Sequence, residues 1–200
     1  MDFESAIPSV VKSIKQRDLL NTWIRLYVRD QRLPRITDYA PARLEDERPD
    51  LVYYAVDSGC APARLTIQSD GTRMAAAYGQ TGKGRLLDDF LGPRLVPVVM
   101  PVYHECIRRA LPVFTIAEIN DIYGRVVAYE RLLLPFSDDV AVTAIIASLK
   151  TISADGNFEI KNLMRDTSNL PIPKLRAIID RELIHRLPSR TIAGDVIEFE

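Results

Sequence analysis

The chain has 200 residues, of which 47% are hydrophobic and 26% charged, enough to bury a core in one domain with extensions. A formal net charge of −1 argues against strong attraction to nucleic acid or an anionic membrane. Cys60 and Cys106 are too few for a disulfide framework, no apolar run reaches the length of a membrane span, and Met1-Asp2-Phe3-Glu4 is no secretory leader, so the expectation is a reduced, cytoplasmic protein.

Residues 9–31 predict a helix. Leu19, Leu20, Trp23, Ile24, Leu26, Tyr27 and Val28 give it a broad apolar face, while Asp18, Arg25, Arg29 and Arg32 mark the wet stripe. Leu33-Pro34 ends it, because the residue before proline avoids the helical region. Pro41 introduces a short helix over 42–47, stopped at Pro49-Asp50. Two strands follow, 51–57 and 63–68, joined by the turn Ser58-Gly59-Cys60-Ala61-Pro62. Residues 72–78 predict a short helix. Gly79, Gly82 and Gly84 then lack the Gly-Lys-Ser/Thr ending of a phosphate loop and read as a flexible loop. Residues 86–91 predict one or two helical turns. Gly92-Pro93 opens a longer helix to Ala110, with a kink or a late start expected at Pro101 because Pro97 and Pro101 lie inside it.

Residues 112–153 form the organising stretch, three strands over 112–120, 125–136 and 140–152. Asp121-Ile122-Tyr123-Gly124 and Ser137-Asp138-Asp139 are the turns. In the middle strand Ala128, Glu130, Leu132, Leu134 and Phe136 share one face, and Val127, Tyr129, Arg131 and Leu133 the other. Neither face is polar, so both need a cover. Beyond Ser153, Ala154-Asp155-Gly156-Asn157 is a linker and 158–164 a helical turn or two. Residues 173–186 predict an amphipathic helix with Leu175, Ile178, Ile179, Leu183 and Ile184 on its apolar side and Arg181, His185 and Arg186 near its C-terminus. A short strand or hairpin is expected over 191–199. The chain thus divides into an N-terminal helical segment (1–32), a central domain (33–153) and a C-terminal extension (154–200).

Five strands with helices inserted after the second follow the order of the PAS sensor fold. Tyr129-Glu130-Arg131-Leu132-Leu133-Leu134-Pro135-Phe136-Ser137-Asp138-Asp139 resembles the YERLLLPLSDDG block of a bacterial family of small, mostly single-domain PAS proteins. Leu33-Pro34, Asp38-Tyr39, Tyr78-Gly79, Thr81-Gly82 and Leu86-Leu87-Asp88 fall in matching order, so the resemblance spans about residues 17–153. It departs at Pro97, at Pro101 and beyond 154. The resemblance implies an α+β fold: a PAS-like five-stranded antiparallel sheet with helices on one face, an N-terminal covering helix and a C-terminal helical extension. It also implies a sensory or interaction module rather than a catalyst. The family has no common ligand, so no cofactor is named.

The residues agree in carrying no catalytic constellation. There is no Gly-x-Ser-x-Gly elbow, no Cys-x-x-Cys and no His-Glu-x-x-His. Asp138-Asp139 reads as solvated turn carboxylates. His104 lies on the long helix where haem-binding PAS domains carry their axial ligand, but Arg108 one turn on favours a surface histidine; Cys106 reads as a buried structural thiol. Glu130-Arg131 has two readings. One of them anchors a polar ligand, or both are held in structural ion pairs with charges such as Arg25, Arg29 or Glu118, which is the plainer expectation. A ligand pocket between sheet and helices is expected to draw on Met74, Tyr78, Tyr103, Ile107, Phe114, Ile116, Tyr129, Arg131 and Ile146. Leu20, Trp23, Ile24 and Tyr27 are expected to cover the outer sheet face. A homodimer built from that helix, the exposed sheet and the 173–186 helix is expected. The function implied is a small-molecule sensor signalling to an unidentified partner protein, with a ligandless dimerisation or adaptor module as the alternative, and with no nucleic acid and no membrane among the partners.

Overall fold

The computed structural model describes residues 2–138, 140–153, 156–165 and 170–180. Seven strands form one sheet: β1 (Glu4–Ala6), β2 (Leu51–Asp57), β3 (Arg64–Asp70), β4 (Val113–Asn120), β5 (Val126–Phe136), β6 (Ala144–Ser153) and β7 (Ile172–Ile179). Their order is β1-β7-β4-β5-β6-β2-β3. Every neighbouring pair is antiparallel except β1 and β7, which run parallel with Ser5 opposite Ile178. The PAS-type five-stranded antiparallel sheet is therefore incorrect for this chain: the sheet is open, mixed and seven-stranded.

The two added strands come from the terminal segments, and the second displaces a helix prediction. Residues 172–179 pair with β4 instead of forming the first half of a 173–186 helix; residues 181–186 and the expected 191–199 strand lie outside the described residues. Leu175, Ile178 and Ile179 suit a helical face, but Pro171 and Pro173 bias their neighbours to extended backbone, and β4 offers a free edge. At the other end the helix begins at Ile14, after β1 and a 3-10 turn over Pro8–Val10.

Helix α1 (Ile14–Asp30) is capped by Ser13, whose hydroxyl accepts from the Gln16 N–H, and closes on Gln31 in the left-handed region. Gln16, Leu19, Leu20 and Trp23 are buried at i, i+3, i+4, i+7 spacing, one helical face. That face lies on the sheet with Phe114, Leu132, Leu134, Phe136 and Ile146. The Trp23 indole N–H donates to the Pro135 carbonyl at 2.7 Å, and the Gln16 amide donates to the Ser148 carbonyl at 3.0 Å.

The opposite sheet face carries α3 (Thr72–Tyr78) and α4 (Leu87–Arg109), reached after the single turn α2 (Leu44–Glu47) and a 3-10 turn over Arg48–Asp50. Val52, Tyr54, Val127, Tyr129, Leu133 and Ile145 meet Met74, Tyr78, Leu91, Val99 and Tyr103 there. The kink expected at Pro101 occurs instead at Gly92 (φ 70°, ψ 172°), and the helix continues through Pro97 and Pro101. Pro93 follows the break at Gly92 and the Asp89 carbonyl behind it accepts from the Arg85 guanidinium at 3.3 Å, while Pro97 and Pro101 lie on the exposed stripe of α4, where the carbonyls they free are on the water side and the helix persists. Residues 160–165 form turns rather than a helix and bond the C-terminal carbonyls of α3, Asn162 N–H to Ala76 O and Met164 N–H to Ala77 O, both at 2.9 Å.

Candidate functional site

A small cavity of about 20 Å³ lies between the sheet and α3/α4. It has room for about one water molecule. Val52 and Tyr54 of β2, Ile67 and Asp70 of β3, Tyr129 and Arg131 of β5 and Leu149 of β6 form its floor. Met74 and Tyr78 of α3 with Leu87, Phe90, Leu91, Val99 and Tyr103 of α4 form its roof. Strand parity explains the floor: β5 sends Tyr129 and Arg131 to the α4 side, and the antiparallel register sets Leu149 beside Arg131.

Of the residues expected in the pocket, Met74, Tyr78, Tyr103, Tyr129 and Arg131 meet there. Phe114, Ile116 and Ile146 do not belong with them: they have the opposite parity and pack on the α1 side. Ile107 packs against the α3/α4 core without reaching the cavity. Leu20 and Trp23 are wholly buried under α1, and Ile24 and Tyr27 are half-buried beside them, with the Trp23 and Tyr27 rings stacked 5.1 Å apart. Tyr54 went unnoticed in sequence. It alternates correctly with Val52 and Val56, but nothing in a single strand says which side meets the helices.

Arg131 dominates the cavity. Only 5% of its surface is exposed. Among the described residues no carboxylate forms an ion pair with it, and its Nε has no hydrogen-bond partner. The structural ion pairs expected for it are thus incorrect: Glu118 is bonded to Lys174 at 2.8 Å, Arg29 to Asp30 and Arg25 to the Thr22 hydroxyl. Tyrosines surround it instead. Its guanidinium lies 5.5 Å from the centroid of Tyr103 and 5.4 Å from that of Tyr129. Such contacts are worth about 0.5–2 kcal/mol each, less than the several kcal/mol that burying an unpaired ion costs. The Tyr54 and Tyr103 hydroxyls are 3.0 Å apart, and the Tyr129 hydroxyl lies 3.8 Å from the Met74 sulfur and within hydrogen-bonding reach of Arg131 and Tyr78. Burial drives the Tyr129 phenol up to about 12 against the opposing pull of Arg131; all four phenols stay neutral at physiological pH. Asp70, the one carboxylate at the cavity rim among the described residues, already accepts from the Thr81 hydroxyl at 2.7 Å and the Gly82 N–H at 2.8 Å.

Glu130 faces the other way. It is buried, and its Oε2 lacks a hydrogen-bond partner among the described residues. Its register partner Lys150 is occupied by Glu47 and Asp50, and burial raises the Glu130 carboxyl above its ordinary value. A carboxyl that binds its proton more tightly when folded weakens the fold as pH rises through that raised value. Glu130→Gln is therefore expected to melt above wild type at pH 7, with the difference closing toward pH 4. Thermal melts across that range check this; a wild type that is the more stable at every pH would show a hidden partner for Glu130.

His104 lies outside the cavity, half-buried in a groove with Cys60, Ala61, Pro62, Asp88 and Met100. Its Nε2 has no partner, and none of the cavity-lining side chains reaches it. Cys106 is wholly buried, and burial lifts its thiol far above the ordinary range. No cluster of metal-ligating side chains is present among the described residues, and no helix there is long and apolar enough to cross a membrane. No protein-family model, curated protein or solved structure matches the chain.

Proposed function

We propose that this chain is a small-molecule-binding sensory module whose ligand occupies the cavity between the sheet and α3/α4. One observation carries the reading: Arg131, a buried cation with no ion-pair partner among the described residues, is placed among four tyrosines at the centre of that cavity. A fold that needed only to be stable does better with a well-packed apolar residue at such a position. Arg131→Met is therefore expected to give a chain at least as stable as wild type in urea melts, and to lose small-molecule binding. A loss of more than about 2 kcal/mol would make the guanidinium a structural element and remove the main support for the site.

Native mass spectrometry and an absorption spectrum of the full-length protein test the reading directly. A retained small mass, or a ligand-dependent rise in melting temperature, is the expected result. A colourless protein with neither favours a ligandless adaptor, the reading that the small volume of the cavity supports. Output through protein contacts belongs to the same proposal, with a homodimer as the first assembly to look for by light scattering; a monomer at micromolar concentration removes the dimer. A cytoplasmic location is also proposed, on the free Cys60 and Cys106 thiols.

A further inference from the structure

We propose that the ligand is an organic carboxylate with a short apolar or aromatic body, its carboxylate seated on the Arg131 guanidinium. The inference rests on the reading of the cavity as a ligand site and adds the chemical class. The charge argument comes first. Within the cavity the guanidinium is the sole cation among the described residues, and the one carboxylate of the lining, Asp70, is bonded to Thr81 and Gly82 instead, so a single negative charge seated on the guanidinium supplies the counter-ion it lacks. A guanidinium presents a planar fork of donors that matches the two oxygens of a carboxylate. The Arg131 Nε–H has no acceptor among the described residues, and a bound carboxylate supplies one.

The hydroxyls come second. In the Tyr54–Tyr103 pair one hydroxyl proton is used within the pair, which leaves the other free to donate to a ligand oxygen. The Tyr129 hydroxyl, in contact with the Met74 sulfur and within reach of Arg131 and Tyr78, borders the same space. These donors suit a monoanion. A phosphate dianion brings a second charge that no further cation in the cavity itself meets among the described residues, since Arg94 and Arg165 line only the outer groove. The rest of the lining (Val52, Leu87, Leu91, Val99 and Leu149) is aliphatic and takes an apolar body.

The route in is visible at the roof. Tyr78, Phe90 and Leu91 line the cavity and also line an outer groove of about 250 Å³. Phe90 and Leu91 belong to the helical turn just before Gly92, where the helix is broken and no atom lies within 4 Å of a built Cβ. Displacing these two side chains joins cavity and groove into a site large enough for a small organic acid.

The test is thermal shift and calorimetric titration of the full-length protein with butyrate, benzoate and 4-hydroxybenzoate, each against its neutral amide, and with inorganic phosphate. At least one carboxylate is expected to bind, with its amide about tenfold or more weaker, the loss of one charge-assisted hydrogen bond. Arg131→Gln is expected to abolish that preference while keeping the wild-type circular dichroism. Tyr103→Phe is expected to weaken the carboxylate without abolishing it. Amides that bind as well as acids overturn the carboxylate class and leave the cavity as a ligand site. Phosphate binding in place of the carboxylates overturns the class in the same way. Failure of all three carboxylates overturns the proposal; if native mass spectrometry still retains another small molecule, the small-molecule reading stands without it.

Discussion

Trp23→Ala is expected to cost about 3–5 kcal/mol, the range for removing a fully buried aromatic side chain. Trp23 has no exposed surface, fills the space between α1 and the Leu132, Leu134 and Phe136 face of β5, and stacks on Tyr27. Its indole N–H also satisfies the Pro135 carbonyl at 2.7 Å. β4 pairs with β5 no further than Leu133, so Pro135 lies beyond the ladder on that side, and its carbonyl depends on the indole. An alanine leaves both a cavity and an orphaned acceptor. Against a total stability of roughly 5–15 kcal/mol for a domain, such a loss is visible as a large drop in the urea midpoint. Trp23→Phe keeps most of the volume and loses the donor, so it is expected to fall between the two, about 1 kcal/mol or somewhat more below wild type. Equilibrium urea unfolding followed by far-ultraviolet circular dichroism measures both. A Trp23→Ala protein within 1 kcal/mol of wild type would mean that α1 does not cover the sheet.

Lys150→Met is expected to be the other severe change, costing about 3 kcal/mol at pH 7, the lower end for breaking a buried ion pair by removing one partner. Lys150 Nζ bridges Glu47 at 2.6 Å and Asp50 at 2.7 Å, and Glu47 has no exposed surface. Lys15 of α1 at 3.0 Å from Glu47 and Arg73 of α3 at 3.0 Å from Asp50 complete the network and keep the loss from being larger. It ties α1, the 47–50 turn, β6 and α3 together. Gly71 holds the same junction closed, since a Cβ there would overlap the backbone carbonyls of Arg48 and Pro49.

The pH dependence has a definite sign. Burial would raise the Glu47 carboxyl, but Lys150 and Lys15 outweigh it and leave the carboxyl below its ordinary value. A depressed carboxylate contributes stability above its unfolded pKa and loses it as pH falls through the folded one. The gap between wild type and Lys150→Met is therefore expected to be widest near neutrality and to narrow below pH 4, where Glu47 takes up a proton. Removing the stranded charge as well, in Glu47→Gln/Lys150→Met, is expected to recover part of the loss, a non-additivity that a double-mutant cycle measures. Equal costs at pH 7 and pH 4 would show that the network contributes through packing alone.

Much of the local structure was legible because it follows from short-range physics. The β-formers of 51–57 and the alternation of 126–136 specify strands, Gly124 at φ 77° specifies the turn between β4 and β5, and the burial spacing of Gln16, Leu19, Leu20 and Trp23 specifies a helix face. The bipolar alternation of β5 even required two covers. What alternation cannot say is which cover takes which parity. Tyr129 and Arg131 therefore fell correctly beside Tyr78 and Tyr103, whereas Phe114, Ile116 and Ile146 were assigned to the wrong side, and Tyr54 was missed for the same reason.

The tertiary structure decided the rest where two local answers were nearly equal or where a partner far away in sequence mattered. Residues 172–179 satisfy both a helical and an extended pattern, and the open edge of β4 settles them as a strand; β1, three residues long, has no stability except beside β7. Pro97 and Pro101 break helices in general but not when their freed carbonyls face water, which depends on how α4 is rotated against the sheet. The pairing of Arg131 was decided in the same way. The sequence by itself determined that a charge would sit in mid-strand on a covered face. Only the packing of four distant tyrosines around it, with Asp70 and Glu118 engaged elsewhere and Glu130 on the opposite face, left that charge without a counter-ion among the described residues, because the electrostatic environment of a buried group is set by residues tens of positions away along the chain.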